Sequence, residues 1–199
     1  MKTTVNDLLD RYEVEILPEL SERTQRDYSR YSIPKLRARW GHRIADEIEP
    51  REFGEWLWYT PKGRIQRTRE LAPLAHAYTC GYGMWWMCKT RPTFGIKKPK
   101  SKPRRHLITP AEYVGIVRLA TKPVALAIAL ALLTGQRQGD VLSLKWSQIR
   151  DGRIYFVQGK TGKELDMGIS PQLASVLEEC KALGGTEYVI VSRKGTRYS

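Results

Sequence analysis

Apolar residues recur at helical spacing through most of this chain. At the start, Thr4 can cap a helix in which Val5, Leu8, Leu9 and Tyr12 share one face. An unbroken apolar run at positions 124–133 predicts a buried central helix. Further helices are predicted from Ser21, from Pro50, from Arg64 through a kink at Pro73, from the Thr109-Pro110-Ala111-Glu112 capping box, and from Ser170. Trp85 and Trp86, near the end of the fourth helix, are predicted to close a helical core, and base stacking is the alternative.

Strand-like patterns are confined to the last third of the chain. Residues 154–158 and 165–169 predict two strands, and the glycine-flanked turn Gly159-Lys160-Thr161-Gly162-Lys163 between them predicts a hairpin that presents lysine. Residues 188–192 predict one more short strand. The fold class predicted is therefore mainly α, of the α+β type, with a small hairpin sheet.

The charge balance points to a polyanionic partner. The chain has 199 residues, with 34 Lys and Arg against 21 Asp and Glu, which gives a net charge of +13. Nucleic acid is the first candidate partner and an anionic membrane surface the second. The chain has neither a membrane-length apolar run nor an N-terminal signal core, so we expect a cytoplasmic protein. Three cysteines without Cys-x-x-Cys spacing favour neither disulfides nor a zinc site.

Basic residues are concentrated at positions 89–105, where eight of seventeen are Lys or Arg and none is acidic. Three prolines prevent a continuous helix there, so the segment is predicted to be an extended linker between domains 1–88 and 106–199. Its predicted contacts with DNA phosphates are Lys97, Lys98, Lys100, Lys102, Arg104 and Arg105. The second helix carries Arg23, Arg26 and Arg30, which fit either a DNA contact or a solvated helix face.

The densest candidate chemistry lies in residues 134–163. In Thr134-Gly135-Gln136-Arg137-Gln138-Gly139-Asp140, the glycine suits the left-handed end of a helix and the aspartate suits the first turn of the next. Arg137 is thus predicted to lie at a corner between helices. Taken alone, such an arginine can neutralise helix carbonyls and a turn lysine is ordinarily solvated. Gly-Lys-Thr also occurs in nucleotide-binding loops, but Ile154 replaces their first glycine and a strand, not a helix, follows.

Together, these segments resemble the tyrosine recombinase (phage integrase) family. Its first catalytic box, Thr-Gly-x-Arg-x-Gly-Glu/Asp, is matched at positions 134–140, and its hairpin lysine is matched by Lys160. The resemblance implies a helical, SAM-like core-binding domain followed by the N-terminal part of a mixed α/β catalytic domain. It also implies double-stranded DNA as the partner, a tetrameric recombination synapse, location on the nucleoid, and no metal or nucleotide cofactor.

The resemblance also implies particular roles. In the family, a tyrosine attacks the scissile phosphate, two arginines and a histidine stabilise the developing charge, and a lysine protonates the departing 5′ oxygen. Arg137 would be the first of these arginines, Asp140 its supporting carboxylate and Lys160 the general acid. Lys163 is the alternative general acid and a predicted DNA contact.

Other parts of the family's site are not found in the 199 residues. The histidines are His42, His76 and His106, all before Arg137, and none has an arginine three positions later. Tyr198 is penultimate, where we expect poor order. We therefore expect a C-terminally truncated, DNA-binding fragment of a site-specific recombinase that is inactive alone. The alternative is a non-catalytic DNA-binding or regulatory protein on the same scaffold.

Overall fold

The structure is a computed structural model that describes residues 2–59, 63–103, 105–192 and 194–198. The chain divides into two compact units, Met1–Arg104 and Arg105–Ser199, and each is considered by itself. The predicted fold class, mainly helical with one small sheet, is confirmed. The functional labels given to the predicted domains, 1–88 and 106–199, stay predictions.

The first unit is helical. Its α-helices are α1 (Val5–Glu15), α2 (Glu22–Asp27), α3 (Ile33–Trp40), α4 (Pro50–Trp58), α5 (Arg64–Glu70) and α6 (Ala72–Gly83), with a π-helical turn at Tyr28–Ser32. Thr4 caps α1 as predicted, and Asp7 completes the reciprocal capping box. The predicted kink at Pro73 is instead a break between α5 and α6. Proline fits the first turn of α6, where its missing N–H costs no helical hydrogen bond.

The core of this unit is formed by one face of each long helix. Its fully buried side chains include Leu8, Tyr12, Phe53, Leu74 and Tyr78. Trp85 is buried as predicted and its Nε1 donates to Glu15 Oε2 at 2.8 Å, whereas Trp86 is 87% exposed, so that half of the prediction is wrong. The chain leaves α6 at this point, and Trp86 takes a left-handed conformation with φ of 55°.

The first residues of the predicted linker pack against the first unit. Asp46 Oδ1 accepts hydrogen bonds from the backbone N–H groups of Lys89 and Thr90, and Ile96 packs against the core. Trp58 Nε1 donates to the carbonyl oxygen of Lys97 at 2.7 Å. Helix and strand are absent from the described residues between 96 and 109, as a proline-rich extended segment requires.

The second unit combines helices with a three-stranded antiparallel sheet. Its elements are α7 (Pro110–Leu119), α8 (Lys122–Thr134), α9 (Gln138–Leu142), β1 (Ile149–Arg150), β2 (Arg153–Val157), β3 (Glu164–Gly168) and α10 (Pro171–Lys181). Asp151 and Gly152 both have positive φ and join β1 to β2 in a two-residue turn. The hairpin of β2 and β3 agrees with the predicted pair of strands to within one residue.

Two predictions for this unit are wrong. Helix α8 is predicted to be a buried central helix, but only one face is buried; Leu126 and Leu130 lie in the core, whereas Leu132 is 65% exposed. Residues 188–192 form isolated bridges and no strand within the described part of the chain. These bridges pair Tyr188 with Lys145 and Val191 with Arg197. The apolar side chains at 189–191 are nevertheless buried.

All three cysteines are buried. Burial raises the pKa of the Cys88 thiol to about 11 and that of Cys180 to about 12, so these thiols stay protonated near neutral pH. Among the described residues, there is no cluster of three or more His, Cys, Asp or Glu arranged to hold a metal ion. A membrane-crossing helix is likewise absent from the described ranges.

Candidate functional site

The arginine corner lies between α8 and α9. Gly135 ends α8 in the left-handed conformation, with φ of 66°, and its N–H donates to the carbonyl of Ala131, as the sequence predicts for a helix C-cap. Thr134 is buried, and its Oγ1 donates to the carbonyl of Leu130 at 2.6 Å. Arg137 then occupies the N-cap position of α9, with 52% of its side chain exposed. The corner therefore fixes the backbone of Arg137 and leaves its guanidinium accessible.

Asp140 connects this corner to the hairpin. Its side chain is 7% exposed, and Oδ1 accepts a hydrogen bond from the Gly159 N–H at 2.8 Å. Oδ2 lies 3.9 Å from Arg137 Nη1, which is an ion-pair distance but too long for a hydrogen bond. Among the described residues this buried oxygen has no hydrogen-bond donor. The aspartate thus supports the lysine turn more directly than it supports the arginine.

The lysine turn is closed by backbone hydrogen bonds around Gln158. The Gln158 carbonyl accepts from the N–H groups of Thr161 and Gly162, and its own N–H donates to the Lys163 carbonyl at 2.9 Å. Gly162 has φ of 66°, a conformation that favours glycine. Lys160 and Lys163 are both exposed, so each ammonium group is available to an anion.

A side-chain amide joins the arginine to the lysine turn. Gln158 Oε1 accepts from Arg137 Nη1 at 3.2 Å and from Thr161 Oγ1 at 2.9 Å, while Gln158 Nε2 donates to Gln136 Oε1 at 3.0 Å. From the sequence pattern, Gln158 is predicted only to be a strand residue. Its position directly before the Gly-Lys-Thr-Gly turn is the one signal that could have identified it.

The other predicted DNA-contacting residues lie elsewhere. Arg23 and Arg26 are exposed on α2, and Arg30 is exposed on the π-helical turn. The described linker residues are also exposed: Lys97, Lys98, Lys100, Lys102 and Arg105. Arg104 lies outside the described residues. The structure therefore brings Arg137, Asp140 and the hairpin turn together in the second unit, whereas the α2 arginines belong to the first unit.

An apolar cavity of about 270 Å³ lies beside the corner and is lined by Val124, Ile128, Leu142 and Tyr198, among others. Neither Arg137 nor Lys160 lines it. Tyr198 is half-buried and packs against the core of the second unit, and poor order at this penultimate residue stays a prediction.

The second unit, which carries the arginine corner and the hairpin, matches a known protein family. A profile of the Phage integrase family matches residues 107–199. The integrase of Escherichia phage HK022 is 30% identical over 208 aligned residues, which cover 96% of this chain and 56% of that protein. A crystal structure of a lambda integrase dimer bound to a COC' core site has a TM-score of 0.82 at 29% identity, covering 99% of this chain and 59% of that one.

A second solved structure, a lambda integrase tetramer bound to a Holliday junction, has a TM-score of 0.83 at 29% identity and covers 100% of this chain and 60% of that one. The chain belongs to the phage integrase family of tyrosine recombinases. It spans a little over half the length of the HK022 integrase.

Proposed function

We propose that this chain binds double-stranded DNA through its phosphates and acts in DNA integration and recombination. The observation that carries the proposal is the junction of the arginine corner with the lysine turn, because one buried carboxylate and one amide hold both segments. Family membership supports the assignment, and the net charge of +13 supports a polyanionic partner.

Within this proposal, Arg137 contacts a non-bridging oxygen of the scissile phosphate and stabilises the negative charge that develops there. A fixed guanidinium is suited to this task because it remains charged and presents several N–H donors in one plane. In the family's reaction a tyrosine oxygen bonds to phosphorus as the bond to the 5′ oxygen breaks, and Lys160 would donate a proton to that departing oxygen. Lys163 contacts a neighbouring phosphate. Asp140 holds the turn that carries both lysines. A single fixed donor of this kind is worth on the order of 100- to 1,000-fold in rate.

The proposed partner is duplex DNA, and the proposed assembly is a recombination synapse of four copies. The lambda integrase tetramer bound to a Holliday junction supports this assembly by analogy. The basic residues on α2 and in the linker contact the backbone of the duplex. A protein with this partner works in the cytoplasm on the nucleoid.

The proposal is tested by fluorescence anisotropy with a labelled duplex at low salt. Arg137→Ala and Lys160→Ala should each weaken binding by roughly threefold to tenfold, which lies between the effects of exposed ion pairs and of charged hydrogen bonds. Arg118→Ala and Lys181→Ala are matched controls, since both residues belong to the same unit but to α7 and α10. Equal affinities for all five proteins would refute the proposed phosphate site.

A further inference from the structure

Gln158 has an unusual position at the end of β2. Its backbone closes the lysine turn, while its side chain reaches the guanidinium of Arg137. Arg137 and Thr161 donate to the same oxygen of its amide, at 3.2 and 2.9 Å. One residue therefore contacts both basic segments of the proposed site.

The opposite end of the same amide is also fixed. Gln158 Nε2 donates to Gln136 Oε1, and Gln136 Nε2 in turn donates to the carbonyl of Thr134 at 3.1 Å. Because both ends of the Gln158 amide have partners, its side chain is restrained in one orientation. The restraint runs from the end of α8 to the hairpin turn.

Asp140 does not hold the guanidinium in this way. Its nearest oxygen to Arg137 Nη1 is 3.9 Å away, compared with 3.2 Å for the Gln158 oxygen. The difference matters chemically, because a carboxylate bonded to Arg137 would neutralise the charge that a phosphate needs. A neutral amide orients the guanidinium and leaves its charge, and most of its five N–H donors, for the ligand.

We propose that Gln158 is a positioning residue that orients Arg137 towards a DNA phosphate and couples it to the turn carrying Lys160. The inference rests on the proposed function, since it assumes that Arg137 binds a phosphate. No role for Gln158 is predicted from its sequence pattern alone. The amide itself contacts no reacting atom.

The first test measures how much Arg137 contributes to DNA binding when the amide is absent. Arg137→Ala is compared in otherwise wild-type protein and in a Gln158→Met background, with a labelled duplex and anisotropy as the readout. In otherwise wild-type protein, we expect Arg137→Ala to lower the affinity for DNA by roughly threefold to tenfold. In the Gln158→Met background, it should lower the affinity by less than about twofold, because contacting residues are energetically coupled. Circular dichroism confirms that each variant is folded.

Gln148 supplies the matched control. Its amide also joins two segments of the second unit, donating to the Tyr155 carbonyl at 2.8 Å and accepting from the Lys145 N–H at 2.9 Å, yet it contacts neither Arg137 nor the lysine turn. In a Gln148→Met background, Arg137→Ala should weaken DNA binding as much as it does in otherwise wild-type protein. The control separates positioning from a general loss of stability.

A second variant covers the case in which Gln158→Met does not fold. Gln158→Glu keeps an acceptor for Arg137 and Thr161 but introduces a charge that competes with phosphate. It should weaken DNA binding by about threefold or more relative to Gln148→Glu, which adds the same charge elsewhere in the unit. Equal affinities of these two glutamate variants would overturn the inference.

The outcomes separate the two proposals. If Arg137→Ala costs the same in the wild-type and Gln158→Met backgrounds, the positioning role is wrong and the proposed function stands. If Arg137→Ala leaves the DNA affinity of otherwise wild-type protein unchanged, the positioning role falls because Arg137 binds no phosphate, and Lys160→Ala then decides the proposed function. Loss of the Arg137 contribution in Gln158→Met alone, with the Gln148 background unaffected, supports the inference.

Discussion

Asp140 illustrates how one carboxylate can stabilise contacts between distant parts of the chain. It lies in the first turn of α9, where negative charge is favourable, and its Oδ1 accepts from an N–H nineteen residues later in the hairpin turn. The sequence indicated the first of these features. The second depends on how the hairpin packs against the corner, and no local pattern contains that information.

Asp140→Ala should destabilise the protein by about 1 to 2 kcal/mol, because the Gly159 N–H loses a charged acceptor. Asp140→Asn should retain more of the free energy of unfolding, since its amide oxygen can still accept that hydrogen bond. Urea denaturation followed by circular dichroism measures both. Glu178→Ala is the control: its exposed carboxylate pairs with Lys181 on the same helix, and its loss should cost less than about 0.5 kcal/mol. An alanine variant at position 140 as stable as the wild type would contradict this account of the turn.

Among the elements, the basic linker offers the most direct test of sequence-independent binding. Replacing Lys97, Lys98 and Lys100 with glutamine should weaken binding to all duplex sequences equally, because contacts to phosphates carry no base information. The salt dependence, as the slope of log K against log salt, should also flatten by about 2 to 3 if all three lysines contact phosphates.

The control for this linker variant is an equal loss of charge elsewhere. Lys2, Arg51 and Lys181 are each paired with a glutamate, so replacing them with glutamine should change the slope little. A loss of affinity confined to one duplex sequence would mean that the linker lysines read bases. Anisotropy with two unrelated duplexes distinguishes the two results.

Elements with strong local signals were predicted well from the sequence. The capping boxes at Thr4 and Thr109, the left-handed Gly135 and the glycine-flanked lysine turn are all confirmed, because each depends on residues a few positions apart. Features that depend on tertiary packing were not predicted. The exposure of Trp86 and the link through Gln158 follow from which surfaces meet, which helical periodicity does not encode.

For the molecule as a whole, we predict that these 199 residues do not cleave DNA alone. The sequence contains Arg137 and Lys160 but no His-x-x-Arg segment after the hairpin, so the second arginine of the family's site has no counterpart here. Incubation with a nicked suicide duplex should give no covalent adduct on a denaturing gel. A shifted band that disappears in Tyr198→Phe would identify that tyrosine as a nucleophile and contradict the prediction.

The central claim, that this chain binds duplex DNA through its phosphates, is tested most directly by the salt dependence of binding. If about six to eight phosphates are neutralised, log K should fall against log salt with a slope of roughly −5 to −7. Fluorescence anisotropy with a labelled duplex over a salt series gives this slope. A slope near zero, or no binding even at low salt, would contradict the account.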